Sequence, residues 1–212
     1  MQIFWCRTEP WLASPAALRR FCAQAGLAAG DFLCREDLVP HAAGRYLLLQ
    51  GFCRTCPGAP LPPLTEGPNG KPRFSGGAPA FNISHAGTIA VCAFSPWDVG
   101  IDIEKITPVD PALEDILRPE ERSYLQQLPE DRRTAAFYQL WTRKESLIKA
   151  RGGVLADLIQ LESLITPAGR WKESLEGFRL HSIPFPDPAY VLSVSTRETE
   201  SPIVLTRLQL PG

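Results

Sequence analysis

The segment 57–79 (PGAPLPPLTEGPNGKPRFSGGAP) sets the first limit on the fold, because it holds seven prolines and five glycines. Proline removes a backbone donor and fixes φ, so this stretch excludes a helix or a central strand. It predicts a long ordered loop. Before it, residues 15–25 read as an amphipathic helix and 42–53 as a buried one. After it, β-rich runs are expected over 80–83, 88–94 and 99–106. Helices are expected over 119–128, opened by a Pro-Glu-Glu start, and over 134–150. The tail predicts strands at 158–165, 177–183, 190–195 and 203–210. This order is mixed rather than strictly alternating, which indicates α+β and not a doubly wound parallel sheet. A boundary near 95–98 divides the chain into halves of similar size, 1–97 and 98–212.

The charge balance excludes some partners. Twenty-two Lys and Arg stand against 23 Asp and Glu, a formal net charge of −1, without the basic excess of a nucleic-acid or anionic-membrane binder. A hydrophobic content of 44% with 21% charged residues is that of a folded chain rather than a disordered one. No run reaches the ~18 apolar residues of a membrane helix. The opening MQIFWCRTEPW lacks the cationic start and apolar stretch of a secretory signal. Six cysteines without framework spacing then predict reduced thiols in the cytoplasm. Cys53 and Cys56 form a C-x-x-C pair without the second pair that a zinc site needs, and read as ordinary cysteines near a helix end.

Chemistry concentrates in two segments. In Val99-Gly100-Ile101-Asp102-Ile103-Glu104-Lys105-Ile106, strand alternation sends Ile101 and Ile103 to a core, and Asp102 and Glu104 to the other face. Alone, such a pair reads as a solvated strand face. The alternative is a hard-cation site, since Mg²⁺ takes carboxylate oxygens together with phosphate and water, and that alternative requires a partner. The helix at 134–150 offers one. At about 100° per residue, Ala136, Phe137, Leu140, Trp141, Leu147 and Ile148 share an apolar sector. Glu145 and Lys149 lie together at i,i+4 just beyond its edge; by themselves they would be an exposed ion pair. Lys144 falls inside the apolar sector, where an ammonium must snorkel or find an anion. Arg151-Gly152-Gly153 supplies the cation and glycine of a helix end.

Upstream, Phe81-Asn82-Ile83-Ser84-His85-Ala86-Gly87 reads as a compact polar turn interrupting a β-run. Ser84 and His85 are suited to hydrogen-bonding phosphate oxygens. A Ser-His nucleophile is disfavoured, because the two are adjacent, no G-x-S-x-G elbow is present and no third member is evident.

Taken in order, Asn69-Gly70-Lys71-Pro72, FNISHAG (81–87), GIDIEKI (100–106) and LWTRKESLIKARGG (140–153) resemble the 4′-phosphopantetheinyl transferase superfamily, in its monomeric surfactin-synthetase-activating type. The likeness is strong from Lys71 to Gly153 and extends weakly to Ala43-Gly44-Arg45. It implies a pseudo-dimer of two similar α+β halves with the active site in the cleft between them. The 1–97 half would carry the nucleotide-side contacts, and the 98–212 half the metal site and catalytic helix. It implies Mg²⁺-dependent transfer of phosphopantetheine from coenzyme A to a serine of an acyl or peptidyl carrier protein, with release of adenosine 3′,5′-bisphosphate. Asp102, Glu104 and Glu145 match the metal-binding positions. Glu145 also matches the general base, and Lys149 a catalytic cation. Arg45, Lys71, Pro72, Ser84, His85, Asp102, Lys144 and Lys149 match positions that hold coenzyme A. The partners implied are coenzyme A and carrier proteins, with no nucleic acid and no membrane. Two other readings of the residues remain at this point. One is a metal-dependent nucleotide pyrophosphohydrolase. The other is a non-catalytic interaction module whose carboxylates are only a polar strand face.

Overall fold

The computed structural model describes residues 1–27, 35–76, 79–110, 113, 116–197 and 202–212. The fold is α+β, as the mixed order of elements requires. In chain order the elements are β1 (Gln2–Arg7), α1 (Glu9–Ala13), α2 (Pro15–Ala25), α3 (Arg35–Thr55), β2 (Leu64–Glu66), β3 (Pro72–Phe74), β4 (Ala80–Ala86), β5 (Ile89–Ser95) and β6 (Val99–Lys105). They continue with α4 (Pro119–Gln127), α5 (Glu130–Arg151), β7 (Ser174–Leu175), β8 (Phe178–Ile183), β9 (Tyr190–Thr196) and β10 (Val204–Arg207). One sheet has the order β10-β1-β5-β4, a second the order β6-β9-β8-β7, and β2 pairs with β3 in a separate hairpin. The last strand, β10, runs parallel to β1, so the first sheet draws on both ends of the chain.

Side-chain alternation makes both sheets two-faced. Phe4, Cys6, Cys92 and Phe94 pack outward against α1, α2 and α3. Ile3, Trp5, Val91 and Ala93 face the other way, onto Ile101, Ile103, Leu192 and Val194 of the second sheet. The far side of that sheet carries Phe178 and Leu180, which meet Leu140 and Leu147 of α5. The layers therefore run helix, sheet, sheet, helix, and the two isoleucines expected to face a core lie between the sheets.

Several local expectations need correction. The helix read over 42–53 begins at Arg35. Pro40 lies inside it, in the second turn, where it removes one bond of the ladder without ending the helix. The N-terminal strand β1, unread in the sequence, is central in its sheet. The proline-rich segment holds the β2–β3 hairpin as well as loop; its residues 77–78, like Cys34, lie outside the described residues. The polar turn expected at 81–87 is strand β4, unbroken through Ala86. The strand expected over 158–165 is replaced by a 3₁₀ turn, Leu155–Ile159, and irregular backbone. Leu158, Leu161 and Leu164 are buried there at a spacing of three, and the Leu164 N–H goes to the Glu121 carboxylate, 2.8 Å away, instead of to a neighbouring strand. Cys6, Cys22, Cys53, Cys56 and Cys92 are free thiols. Among the described residues, no helix is long and apolar enough to cross a membrane.

Candidate active site

The strand β6 and the helix α5 meet where the carboxylates are. Their approach is unusually close because the facing residues are small. A Cβ on Gly100 would stand 2.0 Å from the Ser146 carbonyl oxygen and 2.3 Å from the Ala150 nitrogen. Hydroxyl pairs fill the rest of the contact: Thr142 with Ser193 at 2.8 Å and Ser146 with Ser195 at 2.7 Å, all buried. This brings Asp102 and Glu104 of β6 beside Glu145 and Lys149 of α5. The Lys149 ammonium donates to Asp102 Oδ1 at 2.5 Å and lies 4.0 Å from Glu145, so its main partner is across the interface and not its helix neighbour.

Ser84 completes the cluster from the other sheet. Its hydroxyl donates to Asp102 Oδ1 at 2.9 Å and accepts from the Ile103 N–H at 3.4 Å. Two residues earlier, Asn82 Oδ1 accepts from the Ile101 N–H at 2.9 Å. β4 and β6 are the facing edges of two different sheets. The N-x-S of FNISHAG therefore satisfies edge-strand donors that would otherwise be buried without partners. Asn82 has this role in addition to those read from the sequence; its signal was the two-residue spacing from Ser84.

The electrostatics favour a cation. Asp102 is 2% exposed, and its Oδ2 is buried without a hydrogen-bond partner among the described residues. Burial pushes its pKa upward against the attraction of Lys149 and the hydrogen bonds from Lys149 and Ser84. Burial, reinforced by the Asp102 charge, raises Glu104 to about 7, with Lys149 and hydrogen bonding from Trp141 opposing it. Burial raises Glu145 too, with Lys149 opposing and Asp102 adding to the shift. Three carboxylates thus share one ammonium. Among the described residues, no three His, Cys, Asp or Glu side chains are already closed around a common point. The orphaned Oδ2 and the all-oxygen donor set nonetheless fit Mg²⁺, which needs only one or two carboxylates beside phosphate and water.

A pH dependence follows, with a definite sign. Between its ordinary 4.5 and about 7, Glu104 holds a proton in the folded protein that the unfolded chain has released. Stability of the metal-free protein therefore falls as pH rises through that window. Millimolar Mg²⁺ is expected to recover the loss at the upper end, as read by thermal unfolding in EDTA against Mg²⁺. A flat profile, or one that Mg²⁺ leaves unchanged, would contradict the electrostatics described.

The remaining residues expected at the site divide into two groups. A cavity of about 500 Å³ is lined by His41, Gly44, Arg45, Pro72, Ile83 and His85, among others. Arg45, Pro72 and His85 thus share one wall system. Ile83 and His85 point into the cavity, whereas Asn82 and Ser84 alternate to the opposite face of β4. Ser84 therefore serves Asp102 rather than the cavity. Lys144 is not brought to the carboxylates. It is fully buried, with its ammonium on Glu121 Oε2 at 2.5 Å and the Ile116 carbonyl at 3.2 Å, so the anion its position demanded is Glu121. Lys71 does not reach into the cavity either; its ammonium is bound to backbone carbonyls near the end of α5.

Comparison with known proteins locates the same segment. Residues 98–194 match the profile of the 4′-phosphopantetheinyl transferase superfamily. The chain is 37% identical over 131 residues to the 4′-phosphopantetheinyl transferase AcpT of Salmonella typhi, covering 59% of this chain and 65% of that protein. It is 36% identical over 144 residues to the 4′-phosphopantetheinyl transferase psf-1 of Bacillus pumilus, covering 63% of this chain and 60% of the relative. To the 4′-phosphopantetheinyl transferase gsp of Aneurinibacillus migulanus it is 44% identical over 73 residues, covering 34% of this chain and 31% of the relative. The chain thus spans less than two thirds of the length of these curated relatives. The matched segment contains β6 and α5 with all three carboxylates and Lys149, so the similarity to the 4′-phosphopantetheinyl transferase superfamily falls on the candidate site itself.

Proposed function

We propose that the protein is a 4′-phosphopantetheinyl transferase. It moves the phosphopantetheine arm of coenzyme A to a serine of an acyl or peptidyl carrier protein and releases adenosine 3′,5′-bisphosphate. The observation that carries this reading is the convergence of Asp102, Glu104, Glu145 and Lys149, with Asp102 Oδ2 buried and unpartnered. The relatives' names are those of transferases and lend nothing to the hydrolase alternative. The carrier serine oxygen bonds to the phosphorus bearing the pantetheine arm, and the bond from that phosphorus to the bridging oxygen breaks. Glu145, held above the usual carboxylate range by burial, takes the serine proton. Lys149 faces the pyrophosphate charge. Asp102, Glu104 and Glu145 would hold Mg²⁺, which neutralises charge on the phosphates when bound. Arg45, Pro72 and His85 border the cavity for the nucleotide end.

In the same reading, 1–97 and 98–212 are two similar halves, a pseudo-dimer with the site in its cleft. Support comes from the paired layers, each a four-stranded sheet under a long outer helix, α3 or α5, with the tail strand β10 crossing back to complete the first sheet. The protein would act as a cytoplasmic monomer.

The test is to incubate the protein with coenzyme A, Mg²⁺ and a panel of apo carrier proteins, then weigh the carriers by mass spectrometry. A phosphopantetheine mass gain is expected, and folded Asp102→Ala and Glu145→Ala variants should lose it. Release of nucleotide without any carrier adduct would favour hydrolysis. Folded protein that modifies no carrier and releases no nucleotide would overturn both.

A further inference from the structure

Lys71 has an occupation that its place in the motif does not suggest. Its ammonium donates to the Lys149 carbonyl at 2.6 Å, the Val99 carbonyl at 2.9 Å and the Ala150 carbonyl at 3.2 Å. An ammonium has three N–H bonds, and three acceptors use them all. Lys149 and Ala150 lie in the last turn of α5, where carbonyls have no partners within the helix. Val99 is the first residue of β6. One residue past the helix, the Gly152 carbonyl accepts from Asn69 Nδ2 at 2.8 Å. The cap provided by Gly152, in the left-handed region at φ 72°, satisfies the Ile148 and Lys149 carbonyls from within the chain. The loop from the first half adds a second donor to the Lys149 carbonyl and supplies donors to Ala150 and Gly152.

The loop is built to make this reach. Asn69 has φ 54° and Gly70 φ 76°, two successive left-handed residues of the two types, Gly and Asn, that visit this region most readily. That geometry turns Asn69 and Lys71 onto the helix end, while Pro72 lines the cavity on the other side.

We infer that Lys71, assisted by Asn69, is a positioning residue that pins the end of α5 to the start of β6. It thereby sets the separation between Glu145 and Lys149 on one element and Asp102 and Glu104 on the other. Its charge is also well placed against the negative end of the helix. Burial pushes the Lys71 pKa down to about 8, opposed by Asp98, so carbonyl dipoles rather than a paired carboxylate hold the ammonium. The inference rests on the transferase reading only where turnover is the readout.

The experiment compares wild type with Lys71→Met, Lys71→Arg and Asn69→Ala. In the transfer assay, Lys71→Met should lower kcat about 10- to 100-fold, the scale of an ångström-sized misplacement, with KM for coenzyme A little changed. Lys71→Arg, whose guanidinium can still donate to several carbonyls, should recover part of kcat. Asn69→Ala should give a smaller loss of the same kind and covers the case in which Lys71→Met fails to fold. Amide hydrogen exchange supplies a readout that needs no activity: the variants should lose protection in the last turn of α5 before the rest of the helix. A rise in KM with kcat intact would mean that Lys71 grips the nucleotide, and would overturn the inference. Unchanged exchange at the helix end would overturn it as well. Wild-type protein that modifies no carrier would defeat the transferase reading alone, since the exchange result still judges the clamp.

Discussion

Gly100→Ala is expected to separate α5 from β6, costing roughly 3 kcal/mol of stability, the upper end for overpacking, and most of the proposed transfer activity. The reason is what the new methyl group would meet. A Cβ at this position stands 2.0 Å from the Ser146 oxygen, 2.3 Å from the Ala150 nitrogen and 2.9 Å from the Ala150 Cα. All three are backbone atoms of a helix and cannot rotate away as a side-chain end could. The helix itself must move, and it carries Glu145 and Lys149, while Asp102 is two residues along the strand from the clash. The hydroxyl pairs Thr142–Ser193 and Ser146–Ser195 would be pulled apart with it, leaving buried groups unpartnered. Urea unfolding should show a lower midpoint with unchanged slope, and the carrier mass assay should show a loss of about 10²-fold or more, as for other misplaced catalytic groups. A Gly100→Ala protein with wild-type midpoint and activity would mean that helix and strand have room to spare, and that the close approach does not set the site.

The same contact explains what could and could not be read from the sequence. Asp102 and Glu104 were legible because strand alternation is strict, and Ile101 and Ile103 fixed which side was core. Glu145 and Lys149 were legible because i,i+4 spacing places them together. The surface that joins the two elements was not. Thr142, Ser146 and Ala150 repeat every four residues along α5 and form the face that meets Gly100, Ser193 and Ser195, yet small and hydroxyl residues give no apolar signal. The apolar sector that was read packs a neighbouring side of a helix buried over most of its circumference. β4 was misread for a related reason: Asn82 and Ser84 look like turn residues, but their polar groups serve the edge of β6. Lys71 and Lys144 shared another ambiguity. A lysine in a phosphate-site motif reads as an anion contact, and sequence alone does not reveal that three carbonyls hold one while a distant glutamate holds the other.

For Lys144 the consequence is large and measurable. Lys144→Met is expected to destabilise the protein by about 3–5 kcal/mol, the usual cost of breaking a buried ion pair from one side. Both partners are fully buried, and Glu121 anchors more than the lysine: its Oε1 accepts from the Leu164 N–H at 2.8 Å and its Oε2 from the Arg118 N–H at 2.9 Å. Burial drives the Lys144 pKa down and the Glu121 charge holds it up, so the ammonium depends on this one carboxylate. Methionine fills the same space but leaves Glu121 as an unpaired charge within the cluster formed by Leu117, Leu140, Leu147 and Leu164. At this chain length the loss corresponds to a fall of roughly 10 °C in Tm. Adding Glu121→Gln to Lys144→Met removes the stranded charge while keeping an acceptor for Leu164, and should recover part of the stability, an interaction a double-mutant cycle measures directly. At temperatures where the single variant is folded, its affinity for coenzyme A should match wild type, because no surface of Lys144 is open to a ligand. Intact stability with weakened coenzyme A binding would return Lys144 to the pyrophosphate and show that the helix turns differently from the packing described.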